Sequence, residues 1–532
     1  MKPSRPQWTC ILFLALAVVA PSVSLAQESS AAPAGSQAIN LSLMDCIREA
    51  FKNNKEIRIA AYGQELRDGD IQFQRAQFDA NLETDASAGD FSIPRLSEDP
   101  FTTTRFVAST HSSDTRVVST YTDRLHIGST WSAALTLDRG GNLSGVGLGG
   151  ATFSPPASIE YRPRLDLGFK QQLLRNFGRK VNDTQILVAN LNKAIDAQAF
   201  KTQVLTTLSG VEGGYWTLVF ALQNLQVKQE ALRLAQELLK LNQIKVQVGT
   251  LPPIDITQAE AGVASREEDV IVAEADIQNA EDALRRVIGM DPKSPIWRSR
   301  IVPTEDLTPP ELDVDLDRET TTAMENRPDL ESARLNLKTA DAQLYFQRNQ
   351  LKYSLEADAQ YSLSGDAGNV PADFRSNTVE GFGDSLGFIP RRDFPTYQVA
   401  VKLGIPIGNR AAEAQYSSVR LTREQSEVTY QNLEQKAIVE VGLAVRRVLT
   451  DRKKISAAEK NRILQEKKVE AEQKKFENGM STSFQVLTFQ NDLATARSAE
   501  IQGKTDYRVS LANLRKVTGM LDKTLNVNVA KP

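Results

Sequence analysis

The chain repeats itself, and that repeat limits its fold more than any other feature. Phe73-Gln74-Arg75 with Gln77, then Leu82-Glu83 and Asp85-Ala86, recur as Phe346-Gln347-Arg348 with Gln350, then Leu355-Glu356 and Asp358-Ala359, at a constant offset of 273 residues. Ala50 and Asn53 extend the match to Ala323 and Asn326. Further along the offset is 230: Gly178 pairs with Gly408, Gly249 with Gly479, Leu284 with Leu514 and Gly289 with Gly519. The first copy therefore carries 43 extra residues, between about Ser87 and Pro163. Two equivalent units are expected, residues 27–300 and 317–532. Between them a proline-rich stretch that begins at Pro292 and Pro295 runs into a connector, residues 301–316, expected to lie along the outside of the helices.

Each unit reads as helix, strand, loop, strand, long helix, turn, helix. Residues 353–363 put Tyr353, Leu355, Ala357, Ala359, Tyr361 and Leu363 on one face and Ser354, Glu356, Asp358, Gln360 and Ser362 on the other. Tyr397, Val399, Val401, Leu403 and Ile405 repeat the alternation, as do Ile159, Tyr161, Leu165, Leu167 and Phe169 in the first unit, with residues 80–88 weaker. A half-buried soluble sheet fits this pattern. A barrel wall with lipid on one side and a charged, wet lumen on the other fits it too. Residues 127–137 are a further strand candidate inside the extra segment, either a loop extension or a wall strand. The surrounding residues 87–158, rich in Gly, Ser and Thr, are expected to be mostly exposed loop on the outer side.

Residues 182–247 hold no proline and three glycines, Gly210, Gly213 and Gly214. A helix of that length spans about 100 Å. Leu208, Val211, Tyr215, Leu218, Leu222, Leu225, Leu232 and Leu239 follow a heptad seam. Val219, Phe220 and Leu234 widen it, which predicts neighbours on two sides. Residues 410–478 are the equivalent segment.

Lys2 and Arg5, an apolar core over residues 11–20 and the small residues Ser24 and Ala26 around Leu25 read as an export signal, residues 1–26. The apolar run is about half of what a membrane-spanning helix needs, and no later segment is long and apolar enough, so any membrane span would be built from strands. Lysine plus arginine number 63 and aspartate plus glutamate 66, a net charge of −3, without the basic excess of a nucleic-acid binder.

The residues offer little chemistry. Two histidines and two cysteines make a His/Cys metal site improbable. His111 and His126 fall in the extra segment and are expected to be solvated. Gly145, Gly147 and Gly150 form a G-x-G-x-x-G pattern that Ser154-Pro155-Pro156 follows instead of a helix, so it is no dinucleotide site. Gly503-Lys504-Thr505 lacks the upstream glycine of a phosphate loop and lies in a helical pattern. No nucleophile–base pair has a supporting context. No enzyme and no cofactor are expected.

Gln171-Gln172-Leu173-Leu174-Arg175-Asn176-Phe177-Gly178, Gly214-Tyr215-Trp216-x-Leu218, Val248-Gly249 with Asp255-Ile256 and Ala259, and Phe476-x-x-Gly479 with Val486-Leu487 stand in order on the doubled chain. In these, over about residues 41–521, the sequence resembles the TolC-like outer-membrane efflux channels. Gln172 departs from the family's usual proline. The resemblance implies a mixed α and β fold: a homotrimer in the outer-membrane lipid, with four wall strands per chain and twelve in all, continuing into a long periplasmic α-helical barrel. Four strands cannot close a membrane barrel alone, whose minimum is about eight, which independently calls for several chains. The implied function is the passive exit duct of a tripartite efflux or type I secretion system, opened by a periplasmic adaptor protein and an inner-membrane pump. Drug, metal and protein export stay open. The other class weighed is a trimeric surface-anchored structural or adhesive protein without transport. The tips that would meet the adaptor are Gly249, Thr250 and Leu251 and Gly479, Met480 and Ser481, although a glycine there also suits a plain helix end. Family members often carry two aspartates after the second tip. The matching positions here are Gln485 and Thr488, which leaves Asp255 as the acidic candidate at the entrance.

Overall fold

The computed structural model describes residues 38–98, 105–144, 146–148, 151–153, 158–310, 312–369 and 381–525. The proposed export signal and most of the glycine pattern at 145–150 lie outside them, as does the side chain of His111.

Strand β1 (Ala38–Leu41) leads into α1 (Leu43–Asn53) and α2 (Lys55–Ala76). Then come β2 (Asn81–Glu98), β3 (Arg105–Leu125), β4 (Ser129–Ser144), the short β5 (Val146–Leu148), β6 (Ala151–Phe153) and β7 (Ser158–Tyr161), and β8 (Arg164–Gln172). The short α3 (Arg179–Asn182) opens the long α4 (Thr184–Gln247), which turns into α5 (Ile254–Ile288). β9 (Arg300–Pro303) begins the connector. α6 (Leu316–Asn326), α7 (Pro328–Gln350), β10 (Ser354–Ser364), β11 (Ala367–Asn369), α8 (Phe382–Arg391), β12 (Pro395–Gly404), α9 (Arg410–Glu477), α10 (Ser483–Val517) and α11 (Leu521–Thr524) complete the chain.

The long strands form one antiparallel sheet in the order β2-β3-β4-β8-β10-β12, with β7 and β11 as a short extension on β4. Six long strands lie side by side in this sheet, two more than the four wall strands expected per chain. The sheet corrects the reading of residues 87–158 as mostly loop. β2, β3 and β4 occupy most of that segment, and the candidate strand at 127–137 is β4, set between β3 and β8. The alternation read over residues 159–169 is two strands, because Pro163, which has no N–H for the ladder, separates β7 from β8. α8, between β11 and β12, was not foreseen.

The helices pack beneath the sheet. α4 and α9 have 64 and 68 residues, about 95–100 Å at 1.5 Å per residue. α4 packs against α2 and α7 and against α5 and α10, the several neighbours that its wide apolar stripe predicts. The seam is fully buried from Leu208 to Leu218; beyond it the buried row moves to Ala231, Ala235, Leu238 and Asn242. The main core joins Ile47, Ile57, Leu208, Tyr215, Trp216, Leu284 and Leu521. The connector is tied to this body. β9 pairs in parallel with β1, Leu307 is buried, and the Tyr507 hydroxyl donates to Pro310 O at 2.9 Å. Among the described residues no helix is long and apolar enough to cross a membrane.

Candidate functional site: a two-faced sheet and a pair of helical tips

The pairing register sorts the strand residues into two faces. Leu165, Leu167 and Phe169 of β8 stand opposite Leu363, Tyr361 and Ala359 of β10, which in turn face Pro395, Tyr397 and Val399 of β12. On the other face Asp166, Lys170 and Gln172 meet Ser362, Asp358 and Glu356. That face carries three separate sets of polar contacts. Arg164 Nε and the Ser362 hydroxyl donate to Asp166 at 2.8 and 2.5 Å, Lys402 reaches Asp358 at 3.1 Å, and Gln172 Nε2 donates to Glu356 at 2.6 Å. Most of the apolar face is bare, although Leu363 is buried. Tyr397 and Val399 are 75% and 81% exposed, and Trp131, Leu167, Val401 and Leu403 are exposed too. So large a contiguous apolar surface needs a lipid or protein cover.

Below the sheet the chain makes a sharp junction that explains one of the short motifs. Asn176 adopts a left-handed conformation, φ 60°, which asparagine tolerates. Its N–H donates to Asn349 Oδ1 at 2.7 Å, its side-chain oxygen accepts from Gln350 at 2.6 Å, and its carbonyl accepts from Asn182 at 3.0 Å. The turn after β3 docks here. Gly178 N–H donates to Ile127 O at 3.0 Å and Gln172 N–H to Gly128 O at 3.2 Å. The proline that the resemblance leads one to expect at 172 has no N–H for that bond. His126 is not simply solvated: its Nδ1 bonds the Asp183 carboxylate, and its ring stacks on Phe78 at 4.1 Å. Burial pushes the Asp183 carboxyl upward, but the hydrogen bonds from Arg179 and His126 outweigh it and hold the group below its ordinary range.

At the far end the two tips are built alike. Gly249 and Gly479 both have φ 73°. In each, the glycine N–H donates to the carbonyl three residues back, Val246 O at 3.0 Å and Phe476 O at 3.1 Å. The following N–H, of Thr250 or Met480, donates five residues back at 2.8 Å. This closes the last carbonyls of α4 and α9, and it requires a left-handed residue at the glycine. Gly249, Thr250, Gly479 and Met480 are exposed, whereas Leu251 and Ser481 are half-buried.

The tips are locked to each other by the motif residues Phe476, Val486 and Leu487 and the tip residue Leu251, together with Leu238, Leu241 and Asn242, which the sequence did not single out. Leu238, Phe476 and Val486 form a buried cluster with Leu241, Leu251 and Leu487. Asn242, fully buried, donates from Nδ2 to Ser483 Oγ at 2.6 Å and to Asp255 O at 3.2 Å. Lys245 Nζ donates to Phe476 O at 2.7 Å and lies 4.2 Å from the centre of that ring. Ser481 donates to Glu472 at 2.5 Å. Asn242 could have been found as a polar residue continuing the Ala231, Ala235, Leu238 row.

Asp255 sits half-buried in the first turn of α5, where a carboxylate also complements the helix dipole. Gln485 and Thr488 are exposed on α10. Gln485 N–H donates to Thr482 Oγ at 3.3 Å, and the Thr488 hydroxyl donates to Phe484 O at 2.9 Å. No hydrogen bond joins these three to one another within the chain. Gly503-Lys504-Thr505 lies inside α10, with Lys504 on Glu500. Among the described residues no cluster could hold a metal ion.

A sheet polar on one face and apolar on the other, continuous with two helices nearly 100 Å long that each turn back into a shorter one, is the build of an outer-membrane efflux channel subunit. The family described as outer membrane efflux protein matches residues 157–290 and 321–520, and the chain belongs to it. It is thus a protein of the cell outer membrane. Among solved structures it is similar to the CmeC outer membrane channel of Campylobacter jejuni, at 17% identity over 90% of this chain and 86% of that one, with a TM-score of 0.62. It is also similar to the outer membrane protein VceC of Vibrio cholerae (16%, 90% and 96%, TM-score 0.60) and to the open state of the MtrE outer membrane channel of Neisseria gonorrhoeae (16%, 93% and 95%, TM-score 0.55). Among curated proteins, none matches the chain.

Proposed function

We propose that the chain is one third of a passive exit duct. Three copies share one barrel in the outer membrane, their helices form a periplasmic tunnel, and a periplasmic adaptor with an inner-membrane pump opens it, in a tripartite efflux or type I secretion system. The observation that carries this reading is the continuity of a two-faced sheet with helices that end in two matched tips. The duct does no chemistry of its own. In this reading residues 1–26 are the removed signal, 27–300 and 317–532 the two units, and 301–316 the connector.

The exposed tip residues Gly249, Thr250, Gly479 and Met480, with Leu251 and Ser481 behind them, are where the adaptor docks. Asp255, three times around the axis, supplies the acidic ring at the entrance, while Gln485 and Thr488 contribute only neutral hydrogen bonds, about 1 kcal/mol each. Mass measurement of the detergent-solubilised protein should give a trimer, and deletion of the gene should sensitise cells to drugs or metals only when the partner pump is present. A monodisperse monomer would sink the shared barrel. A trimer whose loss changes no susceptibility and no secretion would favour a structural or adhesive role.

A further inference from the structure

Hairpin β3–β4 belongs to the segment that the second half of the chain lacks. It lies between β2 and β8, and it leaves no pairing between those two. β4 runs beside β8 from Ser129↔Gln171 to Thr136↔Arg164, β3 beside β4 from Leu125↔Ser129 to Thr110↔Ser144, and β2 beside β3 from Asn81↔Thr122 onward.

The register carries both faces of the sheet across this hairpin. Level with Leu165–Phe169, the apolar face continues as Trp131, Ala133 and Leu135 on β4, then Ser119 and Tyr121 on β3, then Leu82 and Thr84 on β2. Trp131 packs against Phe169, ring centres 4.6 Å apart. The opposite face continues as Thr130, Ser132, Ala134 and Thr136, then Thr122, Thr120 and Val118, then Asn81, Glu83 and Asp85, mostly polar. The only charged residue on the apolar side at these levels is Asp123, two residues before the end of β3. At 21 residues β3 exceeds the roughly 9–11 that a tilted strand needs to span a bilayer.

The turn of the hairpin reaches the level where the other strands join their helices. β2, β8, β10 and β12 adjoin α2, α3–α4, α7 and α9; β3 and β4 join no helix, and their turn rests on the junction instead. Gly128, at φ +87°, is so close there that a Cβ would lie 2.2 Å from Asn176 O.

We propose that hairpin β3–β4 is membrane wall, so that each chain supplies six spanning strands and, on the trimeric reading above, three chains close an eighteen-stranded barrel instead of a twelve-stranded one. β2 and β12, each paired on one side only, are the edges that meet the neighbouring copies. The six strands alternate in direction, so β12 of one copy meets β2 of the next antiparallel, as closure requires. Barrel diameter grows roughly linearly with strand number, which makes this exit about half as wide again as one of twelve strands.

The test places single spin labels in a Cys46→Ser background, in the purified protein reconstituted in phosphatidylcholine bilayers. Labels at Ala133 and Ser119 should collide with oxygen and be shielded from a water-soluble nickel chelate; labels at Thr120 and Ala134 should show the reverse. Val399 and Gln398 on β12 are the reference pair for the barrel itself. Lipid contact at Val399 with water contact at all four hairpin sites would overturn the six-stranded wall while leaving a barrel standing. Water contact at Val399 would overturn both. Electron cryo-microscopy of the same sample should count eighteen strands, and a count of twelve with the hairpin splayed outside would refute the proposal.

Discussion

At the scale of single residues, two positions carry more than their type suggests. Gly128 is needed for its backbone and for its lack of a side chain, because the hairpin turn is pressed against Asn176 O. Gly128→Ala should detach the turn from the junction, and limited proteolysis of the membrane-embedded protein should then cut near residues 125–129, where the parent resists. Glu212 is 4% exposed on α4, and burial raises its carboxyl to about 7 against the pull of Arg515 and Arg508. Between the ordinary glutamate value and 7 the folded state therefore holds more protons than the unfolded one, so stability falls as pH rises through that window. The effect is on the order of 3 kcal/mol at about 1.4 kcal/mol per pH unit. Thermal midpoints of the detergent-solubilised protein should drop from pH 4.5 to 7, and Glu212→Gln should flatten the profile.

At the scale of elements, the glycines and the alternating strands were legible because each answers a local demand. Gly249, Gly289, Gly479 and Gly519 all take left-handed φ at helix ends, and Leu355 to Leu363 shows its two faces in β10. The hairpin β3–β4 was half hidden for a physical reason. Only its part nearest the turn, with Tyr121, Trp131 and Leu135, has an apolar face; the upper part, such as Ser112, Ser113, Asp114 and Thr115, is polar on both faces and reads as loop. The tip lock was hidden because its parts are 241 residues apart in the chain, Asn242 on Ser483. Asn242→Ala leaves the buried Ser483 hydroxyl without its partner, a cost of about 1–3 kcal/mol. Phe476→Ala empties the centre of the tip cluster, about 3 kcal/mol or more. Both should loosen the tips, and single-channel conductance should rise in each, more in Phe476→Ala.

At the scale of the whole molecule, the proposed duct is a wall with lipid outside and water inside, joined to a tunnel whose entrance is narrow. Asp255→Asn should abolish block by a trivalent cation added on the periplasmic side, and Gln485→Ala should keep it. An unchanged block in Asp255→Asn would place that carboxylate off the axis, with only its helix-terminal role left. A water-filled duct through the outer membrane should show itself in planar-bilayer recording of the purified protein with its tips loosened by Phe476→Ala. Discrete conductance steps that persist at both polarities are predicted. Stable insertion with no conductance steps would contradict a duct and leave only a structural role for the sheet.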